Sequence, residues 1–79
     1  MYTMYEDLHG YTVHSAWLRF KLVVSDAHSM NYKSITFITG QGKIMRDFPE
    51  WANVNPLIQS YTSPPHNPGQ FVVKLKKKG

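Results

Sequence analysis

The sequence predicts an α/β fold: a two-layer α/β sandwich in the order β, α, β, α, β, β, with a mixed, mostly parallel four-stranded sheet. Three observations predict it. Runs rich in β-branched and aromatic residues, with a period of two, stand at Ser34 to Thr39, Leu57 to Thr62 and Gln70 to Lys77. Apolar residues at helical spacing fill the stretch from Val13 to Ala27, ahead of the central strand. Glycines close two strand ends, at Gly10 and at Gly40, where the chain must turn.

Met1 to Tyr5 carry no clear signal beyond two tyrosines and two methionines. Asp7-Leu8-His9-Gly10 reads as the end of a short first strand, with Leu8 towards the core. By the period of two, Asp7 and His9 share the opposite face, which brings a carboxylate and an imidazole together. Such a pair can do chemistry, and it equally reads as a surface carboxylate beside a histidine that caps the turn. Thr12 is a good N-cap, and Val13, Ala16, Trp17, Phe20, Val23, Val24 and Ala27 define an amphipathic helix running to about His28 or Met30. Trp17 and Phe20 belong to its core face, whereas His14, Arg19, Lys21 and Asp26 fall mostly outside. A location beside Asp7 and His9 is a second reading for His14.

A polar link, Ser29 to Lys33, leads into the central strand. Two strands joined by a helical crossover of this length should be parallel and right-handed, so that His9-Gly10 and Thr39-Gly40 emerge side by side at one sheet edge. Beyond the strand, Gly40-Gln41-Gly42 turns into a second helix starting near Lys43. A strand, a glycine turn and a helix start form a small anion receptor, because first-turn N–H groups are unpaired and the helix dipole favours negative charge there. Lys43 and Arg46 add two cations. The plainer reading is a tight strand-to-helix turn with two solvated basic side chains.

The second helical pattern, Ile44, Met45, Phe48, Trp51 and Ala52, is interrupted by Pro49. Proline cannot continue a hydrogen-bond ladder, so two short turns are expected, with Pro49 opening the second and Phe48 and Trp51 under the sheet. Ser63 to Gly69, with three prolines, is a loop between the last two strands, and its His66 reads as a solvated side chain. The final strand turns basic on one face, through Lys74 and Lys76, before the tail Lys76 to Gly79. Lysines on a terminal strand also serve to block edge-to-edge aggregation.

The 79 residues make one domain, 1–79, and are too few for two independent cores. There is no cysteine, hence no disulfide framework and no thiolate metal site. No apolar run is long enough to span a bilayer and no signal peptide is visible, so a soluble, intracellular (cytoplasmic) protein without a membrane partner is expected. A formal charge of +4 favours polyanionic partners. Phe37 stands where a P-loop would have its first glycine and Ile44 where it would have Ser or Thr, which excludes that motif; no second glycine pair makes a dinucleotide fingerprint. His9, His14, His28 and His66 lack the spacing of a zinc site, and no metal ligand is assigned.

Asp7-Leu8-His9-Gly10 followed by Thr12 and an amphipathic helix, a β run ending Thr39-Gly40-Gln41-Gly42, then Met45-Arg46 and a closing basic strand together resemble the Smr (small MutS-related) domain family, here in a free-standing short form. The resemblance runs from about Asp7 to Lys77. It implies a compact α/β sandwich and activity on nucleic acid, since the family includes nicking DNA endonucleases and RNA endonucleases. The family's Leu-Asp-x-His motif falls on Glu6 to His9, and its Thr-Gly-x-Gly motif on Thr39 to Gly42. Departures are Glu6 for an apolar residue, Ser15 for an acidic one, and a proline-rich final loop where glycines are common.

Residues and resemblance together point to Asp7 and His9 as catalytic, and to Thr39, Gly40, Gln41, Gly42, Lys43, Arg46, Lys74 and Lys76 as nucleic-acid-binding. His9 would act as general base or acid, with Asp7 orienting it or binding a metal ion. RNA supplies its own nucleophile, the 2′-OH, whereas DNA needs water and a divalent ion, Mg2+ or Mn2+. The expected partner is DNA or RNA, with the oligomeric state open. The alternatives are a non-catalytic module that recognises structured or branched nucleic acid, and a small interaction protein with incidental charge.

Overall fold

The computed structural model describes residues 3–67 and 69–77. Met1, Tyr2, Pro68 of the loop, and Lys78 and Gly79 of the tail lie outside the described residues. The elements are β1 (Thr3–Asp7), α1 (Val13–Ser29), β2 (Ser34–Ile38), α2 (Lys43–Val54), β3 (Ile58–Thr62) and β4 (Gln70–Leu75). Their order is the expected βαβαββ. The four strands make one sheet in the spatial order β1-β2-β4-β3.

The α1 crossover makes β1 and β2 parallel neighbours, with Asp7 opposite Ile38. The sheet is mixed but mostly antiparallel, not mostly parallel: β4 pairs antiparallel with both β2 and β3. The reason is the path of the chain. Helix α2 carries it one strand position beyond β2, so β3 runs in the direction of β2, and the return through residues 63–69 lays β4 into the gap between them. Three strands share a direction while two of the three pairings are antiparallel.

Both helices cover the same face. Ile35, Phe37, Phe71 and Val73 are buried on it, and by register Ile35 pairs with Val73 and Phe37 with Phe71. Helix α1 meets this face through Ala16, Phe20, Val23, Val24 and Ala27, and α2 through Ile44, Phe48 and Ala52. Phe48 stacks on Phe71 with ring centroids 4.4 Å apart and packs edge-on to Phe20 at 5.1 Å. The opposite face, with Tyr5, Thr36, Val72 and Lys74 in adjoining register rows, carries no helix; Tyr5 there is 67% exposed.

Two expectations are corrected here. Pro49 lies inside a single helix of 12 residues and does not divide it. The buried positions Ile44, Phe48 and Ala52 recur every four residues on one face, and the aromatic packing of Phe48 holds both halves of the helix against the sheet despite the missing N–H. Trp17 is half-buried instead of core: with Trp51 it walls a groove between the helices, and the Lys21 ammonium lies 4.1 Å from its ring centroid.

The ends of α1 explain its length. The Thr12 side chain accepts the Ser15 N–H at 3.1 Å. At the other end Tyr32 N–H bonds to the Ala27 carbonyl and Asn31 N–H to that of His28. This is a Schellman closure, with Asn31 at φ 65° in the place glycine usually takes. Glu6, the acidic departure in the first motif, accepts a 2.8 Å hydrogen bond from Arg19 Nε and so ties β1 to α1. That bond raises the pKa of the guanidinium above its ordinary value.

Candidate functional site

The strand ends Asp7 and Ile38 are paired neighbours, so the segments that follow them emerge together at one sheet edge. Strand β1 stops at Asp7, one residue short of the first motif's Leu8. Leu8 is fully buried and its N–H reaches the Ile38 carbonyl at 2.7 Å. Tyr11 N–H then closes a turn on the Leu8 carbonyl, around Gly10 at φ 90°.

Asp7 and His9 therefore do not meet as neighbours on one strand face. They meet through the turn: Asp7 Oδ1 accepts the backbone N–H of His9 at 2.8 Å. The carboxylate fixes where the His9 main chain sits, and the imidazole itself is exposed. Its ring lies over Gly40, since a Cβ on Gly40 would stand 3.2 Å from His9 Cδ2. The two sequence motifs are thus neighbours at this edge.

The second motif divides its labour. Thr39 is buried, and its hydroxyl lies 3.0 Å from the carbonyls of Gly40 and Gly69. The N–H groups of Thr39 and Gly40 also bond to the Gly69 carbonyl, at 2.7 and 3.1 Å. These donors are committed to docking the proline-rich loop and are not aimed at a ligand. Gln41, Gly42 and Lys43 are exposed, and Gly42 caps α2 with no side-chain hydrogen bond. The first-turn amides of a helix have no intrahelical partner, and Lys43 and Arg46 are exposed in this first turn of α2.

Gly69 had no signal in the sequence beyond closing the loop. It sits at φ +84°, and a Cβ on it would come within 2.7 Å of the Gly40 carbonyl carbon and oxygen. Two glycine backbones touch here, which a scan for chemical side chains does not see.

Lys74 and Lys76 are not part of this edge. Lys74 pairs with Ser34 at the start of β2, while Gln70 pairs with Ile38 at its end, so antiparallel β4 carries its lysines away from His9. His14 lines a recess with Val13, Trp17 and Trp51, its ring 6.1 Å from that of Trp17. His66 is exposed on the loop. Among the described residues no three His, Cys, Asp or Glu side chains are grouped to hold a metal ion, so the donor set does not fit a metal held by the protein alone. Among the described residues no helix is long and apolar enough to cross a membrane.

The Smr domain model matches residues 6–76. The crystal structure of the Smr domain of Thermus thermophilus MutS2 superposes with a TM-score of 0.83 at 23% sequence identity, covering 92% of this chain and 98% of that chain. No match is found among curated proteins. Nearly the whole chain is covered by the family model, including both motifs that meet at the edge described above, and the chain belongs to the Smr domain family.

Proposed function

We propose that this chain is a nucleic-acid-binding Smr domain that cleaves phosphodiester bonds at the edge where His9 meets the glycine turn, with RNA as the substrate that best fits its residues. The observation that carries the reading is the close approach of the exposed His9 imidazole to Gly40, one turn from the uncapped start of α2. Family membership supports it, since Smr domains bind nucleic acid and some are nucleases. A phosphate resting on the first-turn amides, flanked by Lys43 and Arg46, brings an adjacent ribose within reach of His9.

His9 then takes the proton of the 2′-OH. The O2′ atom attacks phosphorus, the P–O5′ bond breaks, a 2′,3′-cyclic phosphate forms, and the 5′ oxygen leaves as a hydroxyl after taking a proton from water. Asp7 acts as a positioning residue through the His9 main chain. Thr39 and Gly40 hold the loop that borders the site.

The second reading is binding without cleavage. The bond from Asp7 to the His9 backbone favours it, because no carboxylate is thereby assigned to the imidazole. One assay separates the two. End-labelled RNA and DNA, single-stranded, duplex and branched, are incubated with the wild type and with His9→Ala, in Mg2+, Mn2+ or chelator. RNA product from the wild type alone supports cleavage by His9. Retarded but intact substrate in every lane supports the binding module, and product from DNA only with a divalent ion transfers the assignment to metal-assisted nicking.

A further inference from the structure

We propose that the sheet edge opposite His9 is a second phosphate-binding surface, so that one nucleic acid is held at both ends of the sheet. This rests on the nucleic-acid reading above and adds a site to it. A surface recess of about 520 Å³ lies at that edge, walled by His28, Tyr32, Lys33, Leu75, Lys76 and Lys77. Its volume is in the range of pockets that hold small-molecule ligands, and among the described residues no carboxylate side chain lines it.

The fold assembles these residues from three directions. The Schellman closure of α1 brings His28 and Tyr32 to the start of β2. The Lys33 carbonyl accepts the Leu75 N–H at 3.0 Å, and the Leu57 carbonyl accepts the Lys76 N–H at 2.9 Å. The end of β4 is thus pinned on both sides, with its lysine side chains left exposed. Lys74 adds a fourth ammonium one register row away, on the sheet face that no helix covers.

Lys33, Lys74, Lys76 and Lys77 carry a charge equal to the whole formal excess of +4, the other five cations of the sequence being equal in number to its five carboxylates. The partial negative charge at the end of α1 is reduced there, because the Ala27 and His28 carbonyls already accept N–H groups. A compact cationic recess with no carboxylate among its described lining residues is the electrostatic footprint of a phosphate backbone.

The spacing sets the footprint. Lys33 and Thr39 bracket β2, and at about 3.3 Å per residue the six steps between them span about 20 Å. A nucleic-acid strand stacked as in a duplex advances about 3.4 Å per nucleotide, so a single strand of about six stacked nucleotides is needed to touch both edges. Between them lies the helix-free sheet face, on which Tyr5 and Lys74 are exposed.

The test is a length series of RNA oligonucleotides, 4 to 16 nucleotides, bound to the wild type and to the full-length triple variant Lys33→Ala, Lys76→Ala, Lys77→Ala, with melting curves to verify folding. The wild type should gain affinity in a step as length passes about six nucleotides. The triple variant should lose that step, and its slope of log affinity against log salt should be shallower by about 2, at roughly 0.7 per phosphate released. A step of unchanged size in the triple variant overturns the second surface while leaving the first edge standing. A wild type that binds every length equally overturns it too. Absence of binding at any length overturns the nucleic-acid reading and this inference with it.

Discussion

The imidazole of His9 lies beside Gly40 so closely that a Cβ there would stand 3.2 Å from His9 Cδ2, a tight approach at a residue whose φ is +73°. Gly40→Ala should therefore act twice. The left-handed conformation costs about 1–2 kcal/mol for a residue with a Cβ, and the imidazole must shift by a few tenths of an ångström. Thermal unfolding should show a loss of about 4–16 °C at roughly 4–8 °C per kcal/mol. RNA cleavage measured well below that melting point should fall further than the folded fraction does.

His9→Ala should leave the melting temperature and RNA affinity near those of the wild type and lower the cleavage rate by about 10²-fold or more, the usual loss on removing a general base. Single-turnover rates beside binding isotherms check this. A parallel loss of affinity and rate would mean that His9 binds instead of reacting.

Asp7 separates by which atom is kept. Asp7→Asn retains an oxygen to accept the His9 N–H, so stability and cleavage should stay within a few-fold of the wild type. Asp7→Ala removes the 2.8 Å bond and should cost about 1 kcal/mol, with a drop in cleavage that tracks the misplaced turn. Equal loss in both variants would show that the carboxylate's charge matters.

Pro49→Ala should stabilise the protein. It restores an N–H inside α2, where proline stands among 12 helical residues, and removes a helix penalty of up to about 3 kcal/mol. A melting temperature raised by several degrees, with no change in cleavage, is the expected result.

Phe48→Ala should be the most damaging of these changes. Its ring packs on Phe20, Phe37, Trp51 and Phe71, and large-to-small changes of this kind cost about 3–5 kcal/mol. In a chain of 79 residues that is a large share of the whole margin, given about 0.05–0.15 kcal/mol per residue. Circular dichroism should show a substantially unfolded population at 37 °C.

The parts of the fold that local chemistry dictates were legible in the sequence. Helix α1 announces itself through the Thr12 cap and a clean apolar period, and β1 beside β2 follows from the length of the crossover between them. Partner choice for β4 was not legible, because an apolar-polar alternation such as Phe71, Val73 and Leu75 fits either side of the sheet equally well. That one ambiguity hid the separation of Lys74 and Lys76 from His9. Pro49 misled for a related reason: its local rule was outweighed by the packing of Phe48, a contact made across the chain. The meeting of the two motifs was visible at the level of strand ends, but the grip of Thr39 and Gly40 on Gly69 involves main-chain atoms that leave little trace in residue type.

The attachment of the proline-rich segment has a practical corollary. Among the described residues it is anchored through the Gly69 carbonyl, which accepts from the amides of Thr39 and Gly40 and from the Thr39 hydroxyl, and Ser63 bonds back to Gln70 at 3.4 Å. Exchange of residues 64–67 for another sequence should leave the fold standing provided Gly69 is retained, which the melting temperature of the exchanged variant checks. The sequence beside the glycine turn is thus separable from the frame that carries it.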